Sequence, residues 1–260
     1  MKTASMFALA LLAGAAASPL AAQSDDWNWK GAVATGKTIE IKGINGDVRA
    51  TATSGSEVIV TAVKKGRKSD PASVKIEVVN SASGVTICAV YPDGGKKPNV
   101  CAAGDGGHMS TRDNDVSVAF SVQVPAGVKF AGRTVNGAVS TERLGSDADV
   151  STVNGDVRVV AAGVVRANTV NGSVEVSMGK ANWSGTVELS TVNGSIRATF
   201  PANFSAEVNG KTVNGSIESE FPLTVQGKFG PRSIHGTIGA GGRTLDLETV
   251  NGSITLVKGS

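Results

Sequence analysis

The sequence is poor in rings, in thiols and in charge of one sign. Its 260 residues include seven Phe, three Trp and one Tyr, which leaves little on which bases or sugars could stack. Lys and Arg number 25 against 22 Asp and Glu, a net charge of +3. No basic run concentrates that charge, which argues against a dedicated nucleic-acid binder. The 33 glycines fall far short of one residue in three and show no triplet period, so the chain is not collagen-like. After the first 22 residues no apolar run is long enough to span a bilayer, and no amphipathic helix of useful length can be drawn. The whole chain is 40% apolar, enough to bury a core and too much for a disordered chain.

Residues 1–22 read as a secretory signal. Lys2 supplies the positive start, Met6 to Ala17 an apolar segment of 12 residues, and Leu20-Ala21-Ala22 the small residues before a cut at Gln23. A segment that short directs export and does not span. The expected location is periplasmic, cell-surface or secreted. The only two cysteines, Cys88 and Cys101, enclose 12 residues. In an oxidising compartment a disulfide is the first reading. It would be worth about 3 kcal/mol in the chain-entropy model. The competing reading, a metal held by both thiolates and His108, lacks the four closely spaced ligands of a structural zinc site.

One phrase recurs eight times: GINGDV at 43–48, TVNGAV at 134–139, TVNGDV at 152–157, TVNGSV at 169–174, TVNGSI at 191–196, 212–217 and 249–254, and SIHGTI at 233–238. From Asn136 the spacings are 18, 17, 22, 21, 21 and 16, a mean near 19. Self-similarity at such a period signals a solenoid. Gly follows the Asn or His in every copy, as the backbone of a tight turn with positive φ. Val or Ile precedes it every time, and Val or Ile stands three residues after it. β-Branched residues in fixed register suit stacked strands. The fold expected is all-β: a single-stranded parallel β-helix, or β-solenoid, with coils of about 19 residues.

Parity places the residues three and five after the Asn inside. A strict period of two also puts the Thr of the phrase inside and its Val outside. The unbroken Val argues instead for a corner, and both readings stay open. Stacking in sequence order predicts an amide ladder of Asn45, Asn136, Asn154, Asn171, Asn193, Asn214, His235 and Asn251. It also predicts an outward charge ladder of Arg158, Glu175, Arg197 and Glu218. Residues 27–130 are less regular, with strand-like runs near 57–63, 74–79, 85–91 and 116–124; they would form the first coils or a cap. Residues 131–260 carry the repeat. No cap is visible after Leu256 and Val257, so that end could bind a second copy.

The export signal, the strand ending Cys88-Ala-Val-Tyr-Pro, and Val122-Gln-Val-Pro-Ala-Gly-Val128 leading into TVNGxV/I together resemble the bacterial exported "putative adhesin" domains of unknown function. The resemblance covers residues 38–257. It implies a β-helical, envelope-associated protein and brings no catalytic motif with it. No phosphate-cradling loop, nucleophile elbow or Ser-His-Asp set occurs, and no cofactor is expected. Asp47 and Asp156 share one offset in the phrase, while Asp147 with Asp149, and Asp113 with Asp115, form loop pairs. All read as solvated turn carboxylates. The function expected is a non-enzymatic binding or structural protein for a cell-surface polysaccharide or an envelope protein. The alternatives are a polysaccharide-active β-helix enzyme, which needs converging carboxylates, and an envelope scaffold that self-associates through the solenoid ends.

Overall fold

The structure, a computed structural model, describes residues 23–93, 97–180, 183–225 and 232–259. The export signal expected over 1–22 lies outside them. Among the described residues the chain forms strands, one 3-10 turn at Pro71–Ser73 and no α-helix. The fold is a two-sheet β-solenoid. Each coil gives one strand to sheet II, turns at an Asn-Gly corner, and gives the next strand to sheet I.

Before the repeat come β1 (Gln23–Gly31), β2 (Thr38–Lys42), β3 (Val48–Thr53), β4 (Val58–Gly66), β5 (Lys75–Ser81), β6 (Gly84–Val90) and β7 (Ser117–Pro125). Four consecutive coils follow. They are β8 (Lys129–Arg133) with β9 (Val139–Leu144), β10 (Ala148–Ser151) with β11 (Val157–Ala161), β12 (Val165–Asn168) with β13 (Val174–Ser177), and β14 (Thr186–Asn193) with β15 (Ile196–Pro201). The last third holds β16 (Ala206–Asn214), β17 (Ile217–Ser219), β18 (Leu223–Val225), β19 (Ser233–Ile238), β20 (Thr244–Asn251) and β21 (Ile254–Gly259). Sheet I runs β1-β4-β7-β3-β9-β11-β13-β15-β21-β17, and sheet II runs β18-β19-β16-β20-β14-β12-β10-β8-β2-β6-β5.

Stacking is therefore not in sequence order. The coil β20–β21 enters between β14–β15 and β16–β17, pairing in parallel with both. At the other end β2–β3 lies against β8–β9. The intervening chain runs outward, adding the parallel neighbours β6 and β7 and the antiparallel strands β4, β5 and β1. The residues before the repeat thus supply both coils and a cap. The far end carries its own antiparallel pair, β19 on β16 and β18 on β19, which shortens the open sheet edge there. The uncapped final coil expected from the sequence is corrected: Leu256 is fully buried, between Ala198 and Ser219.

The corner resolves the Thr-Val question. Thr134, Thr152, Thr169, Thr191, Thr212 and Thr249 are all buried, whereas Val135, Val153, Val170, Val192 and Val213 are 37–47% exposed. Each Thr hydroxyl donates to the Gly carbonyl one coil away: Thr134 to Gly46, Thr152 to Gly137, Thr169 to Gly155, Thr191 to Gly172, Thr249 to Gly194 and Thr212 to Gly252, at 2.8–3.0 Å. A buried hydroxyl without such an acceptor would be costly. The Gly has a second cause besides turn geometry. Only Gly46 of the phrase glycines has a left-handed φ, 119°. At Gly137, Gly155, Gly172, Gly194, Gly215 and Gly252 a Cβ would collide with the Gly carbonyl of the adjacent coil. Stacking distance, more than turn conformation, demands glycine.

Beneath the corner, Val48, Val139, Val157, Val174, Ile196 and Ile254 form one buried column, with Ala50, Thr141, Val159, Val176, Ala198 and Leu256 beside it. Four rings fill the opposite corner: Phe200 stacks on Phe204 at 4.2 Å, and Trp183 and Phe221 pack around them.

Candidate functional site

The outer face of sheet II carries the chain's polar side chains in rows, because strand register sets like positions side by side. One row reads Thr86, Glu40, Ala131, Asp149, Arg166, Glu188, Asp246, Asn209 and His235, each on the next strand. Two adjoining hollows lie along it. One, of about 480 Å³, runs from Glu40 and Gly104 past Arg133 and Asp149 to Arg166 and Thr186. The other, of about 580 Å³, runs from Asn168 and Glu188 to Asp246, Asn209 and His235.

The first hollow is walled by the Gly-rich loop between β6 and β7. Cys88 and Cys101 are joined by a disulfide, with Cα atoms 5.8 Å apart. Both half-cystines are buried beside Val90, apart from the main core. The bridge brings the loop across sheet II, where two buried charges seize it. Lys42 donates to the carbonyls of Ala102 (2.6 Å), Gly106 (3.2 Å) and Gly104. The Glu40 carboxylate accepts from the Gly104 amide at 2.9 Å and from Thr86 at 2.8 Å. Arg133 joins them, 3.4 Å from Glu40 and 3.4 Å from Asp149. The loop is thus held covalently at one point and by charge-assisted bonds at several.

Along the row each acid has a partner. Glu188 pairs with Arg166 at 3.3 Å, and beside the row Asp147 pairs with Lys129 at 2.9 Å. Asp246 accepts from the Asn209 amide at 2.7 Å, and the Asn209 oxygen faces His235 Nδ1 at 2.6 Å. That oxygen can only accept, so in this contact His235 Nδ1 is the donor.

His235 is therefore not a rung of the amide ladder. It lies on β19, antiparallel to β16 and opposite Asn209. The Asn stack runs Asn45, Asn136, Asn154, Asn171, Asn193, Asn251, Asn214, each Nδ2 donating to the Oδ1 of the rung before it at 2.7–2.9 Å. The charge row on sheet I is corrected likewise. Arg158 and Glu175 pair at 3.6 Å, and Arg197 stands opposite Glu175. Thr255 of the inserted coil separates Arg197 from Glu218.

The turn carboxylates are structural. Asp47 accepts the Ala138 amide and Asp156 the Ser173 amide, both at 2.8 Å and both on the next coil. Asp115 accepts amides of Ser69 and Lys68, which hold its carboxyl below the usual value. Burial pushes the Tyr91 phenol up to about 12, and its hydroxyl donates to Val116 at 2.8 Å. Tyr91 and Asp115 both stand away from the sheet II hollows. Among the described residues no three His, Cys, Asp or Glu converge as metal ligands, and no helix is long and apolar enough to cross a membrane.

Sequence reasoning passed over Glu40, Lys42, Arg133, Arg166, Glu188, Asn209 and Asp246. The alternation in β2 shows Glu40 and Lys42 on the outer face, but their partners lie 46 to 93 residues on.

The model of the Toastrack DUF4097 family matches residues 14–257. The chain belongs to this family. Among solved structures, a "putative cell adhesion protein" from Clostridium sporogenes matches with TM-score 0.50 at 10% identity, covering 91% of this chain and 100% of the other. A "putative adhesin" from Bacteroides fragilis matches with TM-score 0.40 at 13% identity, covering 90% of this chain and 97% of the other. No curated protein matches the sequence. At 10% identity the likeness to the first is one of fold. As a Toastrack chain, the protein shares its family's all-β solenoid.

Proposed function

We propose that this Toastrack chain is an exported, non-enzymatic binding protein, adhesin-like, whose contact surface is the outer face of sheet II. The ligand class is a hydroxyl-rich polymer such as a cell-surface polysaccharide. The observation that carries the reading is the pair of adjoining hollows, lined by side chains in rows about 4.8 Å apart and running along the solenoid axis. Such a surface offers repeating acceptors and donors (Asn168, Glu188, Ser190, Asn209) to a repeating chain. Internal pairing of Arg133 with Asp149 and of Arg166 with Glu188 favours a ligand of low net charge. Pinning by the Cys88–Cys101 bridge and Lys42 supports a preformed wall, which lowers the ordering cost of binding.

The names of the two solved structures accord with an adhesion role, and the apolar segment at 1–22 with export. A polysaccharide-active enzyme receives no support from Asp47, Asp156, Asp147 and Asp115, which accept backbone amides, or from Asp149, which is paired with Arg133. The test is a glycan array and polysaccharide pull-down with the chain from Gln23, its wild type compared with Glu188→Ala/Asn209→Ala. Retention of a neutral or weakly charged glycan, lost in the double variant, is the expected result. No glycan retained, or retention unchanged in the variant, overturns the reading. Shortening of any retained polymer overturns the non-enzymatic part.

A further inference from the structure

Eight Asn-Gly dipeptides occur in the chain, and seven of them are rungs of the corner stack. Asn-Gly is the pair most prone to lose its side-chain amide, because no Cβ shields the glycine nitrogen that attacks. Attack requires that nitrogen to shed its proton and reach the Asn Cγ. In six rungs the proton is already committed. Gly46 donates to the Asn136 carbonyl, Gly137 to Asn154, Gly155 to Asn171, Gly172 to Asn193, Gly194 to Asn251 and Gly252 to Asn214, at 2.8–3.0 Å. Their Asn side chains are locked rung to rung as well. The eighth pair, Asn209-Gly210, lies within β16 between two paired strands, its side chain held by Asp246 and His235.

Asn214 ends the stack. Among the described residues the Gly215 amide has no acceptor and Asn214 Oδ1 receives no donor; only Asn214 Nδ2 is engaged, with Asn251 at 2.8 Å. The other end is closed: Gly46 still donates to Asn136, and β7 covers the corner, the Val118 amide donating to the Asn45 carbonyl.

We propose that Asn214 is the site at which this protein deamidates, and that the reaction then travels along the stack from that end. The Gly215 nitrogen loses its proton to hydroxide and bonds to the Asn214 Cγ. The Cγ–Nδ2 bond breaks, Nδ2 leaves as ammonia, and a succinimide remains. Water opens the ring at either carbonyl, giving aspartate or isoaspartate with no change of oxidation state. Either product removes the amide donor from Asn251 and sets a carboxylate against its Oδ1. Isoaspartate also adds a methylene to the main chain and displaces the carbonyl that holds the Gly252 amide. Asn251-Gly252 thereby becomes the next exposed pair, and Asn193-Gly194 the third. That order follows the stack; along the sequence it would be 193, 214, 251.

The experiment is peptide mapping by mass spectrometry of the folded chain during incubation in mildly alkaline buffer. Asn214 should convert about tenfold faster than any other Asn-Gly pair, a factor equivalent to about 1.4 kcal/mol. In denaturant all eight pairs should convert at comparable rates, which assigns the order to the fold. Even conversion in the folded chain, or first conversion at an inner rung, would overturn the proposal. Asn214→Gln tests the second half: it should preserve Asn251, and conversion of Asn251 at the wild-type rate would refute travel along the stack.

Discussion

The hydroxyl of Thr191 donates to the carbonyl oxygen of Gly172 across one coil at 2.8 Å. The same bond recurs at five other rungs, and it joins the two residues that most define the repeated phrase. Threonine is there because an inward hydroxyl can reach that carbonyl, and glycine because only a bare Cα lets the carbonyl come so near. The phrase encodes an intercoil contact rather than a turn alone.

Thr191→Val keeps shape and burial but removes the donor. It should lower unfolding free energy by about 1–3 kcal/mol, the cost of stranding a buried acceptor. Thr191→Ser keeps the bond and should cost about 1 kcal/mol for one lost methyl. Urea denaturation of the two variants checks the order; a valine variant as stable as the serine one would remove the bond from the account.

Gly172→Ala should be far worse than Gly145→Ala. A Cβ at Gly172 meets the backbone of Gly155, which cannot move without opening the coils, whereas nothing lies within 4 Å of a Cβ at Gly145. The expected costs are above about 3 kcal/mol for the first and within about 0.5 kcal/mol for the second. Thermal melts of both distinguish them.

Tyr91 sets an alkaline limit. Its folded pKa of about 12 lies above the ordinary phenol value of 10.0, so the folded state favours the neutral phenol. The stability this supplies is complete below pH 10.0 and drains away as pH rises towards about 12. A melting temperature that falls over that window in wild type, and falls less in Tyr91→Phe, is the expected outcome.

Asp115 works at the acid end. Its carboxyl titrates below 3.8 in the folded chain because the Ser69 and Lys68 amides point at the anion. Its contribution is present above pH 3.8 and is lost as pH falls through the lowered value. The melting-temperature gap between wild type and Asp115→Asn should therefore be widest near neutrality and close below pH 3.8.

The coil was legible in the sequence because one bond type repeats. Val157, Val174 and Ile196 share an offset, and their burial follows from it. The stacking order was hidden because TVNGSI at 191–196, 212–217 and 249–254 is one string. Nothing in the string says which two of those copies pair, and β19 occupies the side of β16 on which the next coil in sequence order would stack. His235 misled for a related reason. Its phrase matches the turn, but Ser233 is exposed, where six of the other copies have a buried Thr. The proposed contact face was least visible, since Glu40, Arg133 and Gly104 meet only after strands distant in sequence are laid side by side.

The inserted coil also orders events in time. A chain delivered N-terminus first, from a ribosome or through an export channel, presents residues 206–219 before 244–259 exist to support them. Until residues 244–259 arrive, the β16–β17 coil lacks the parallel partner that it has in the finished fold, and that end is completed last, like an arch by its keystone.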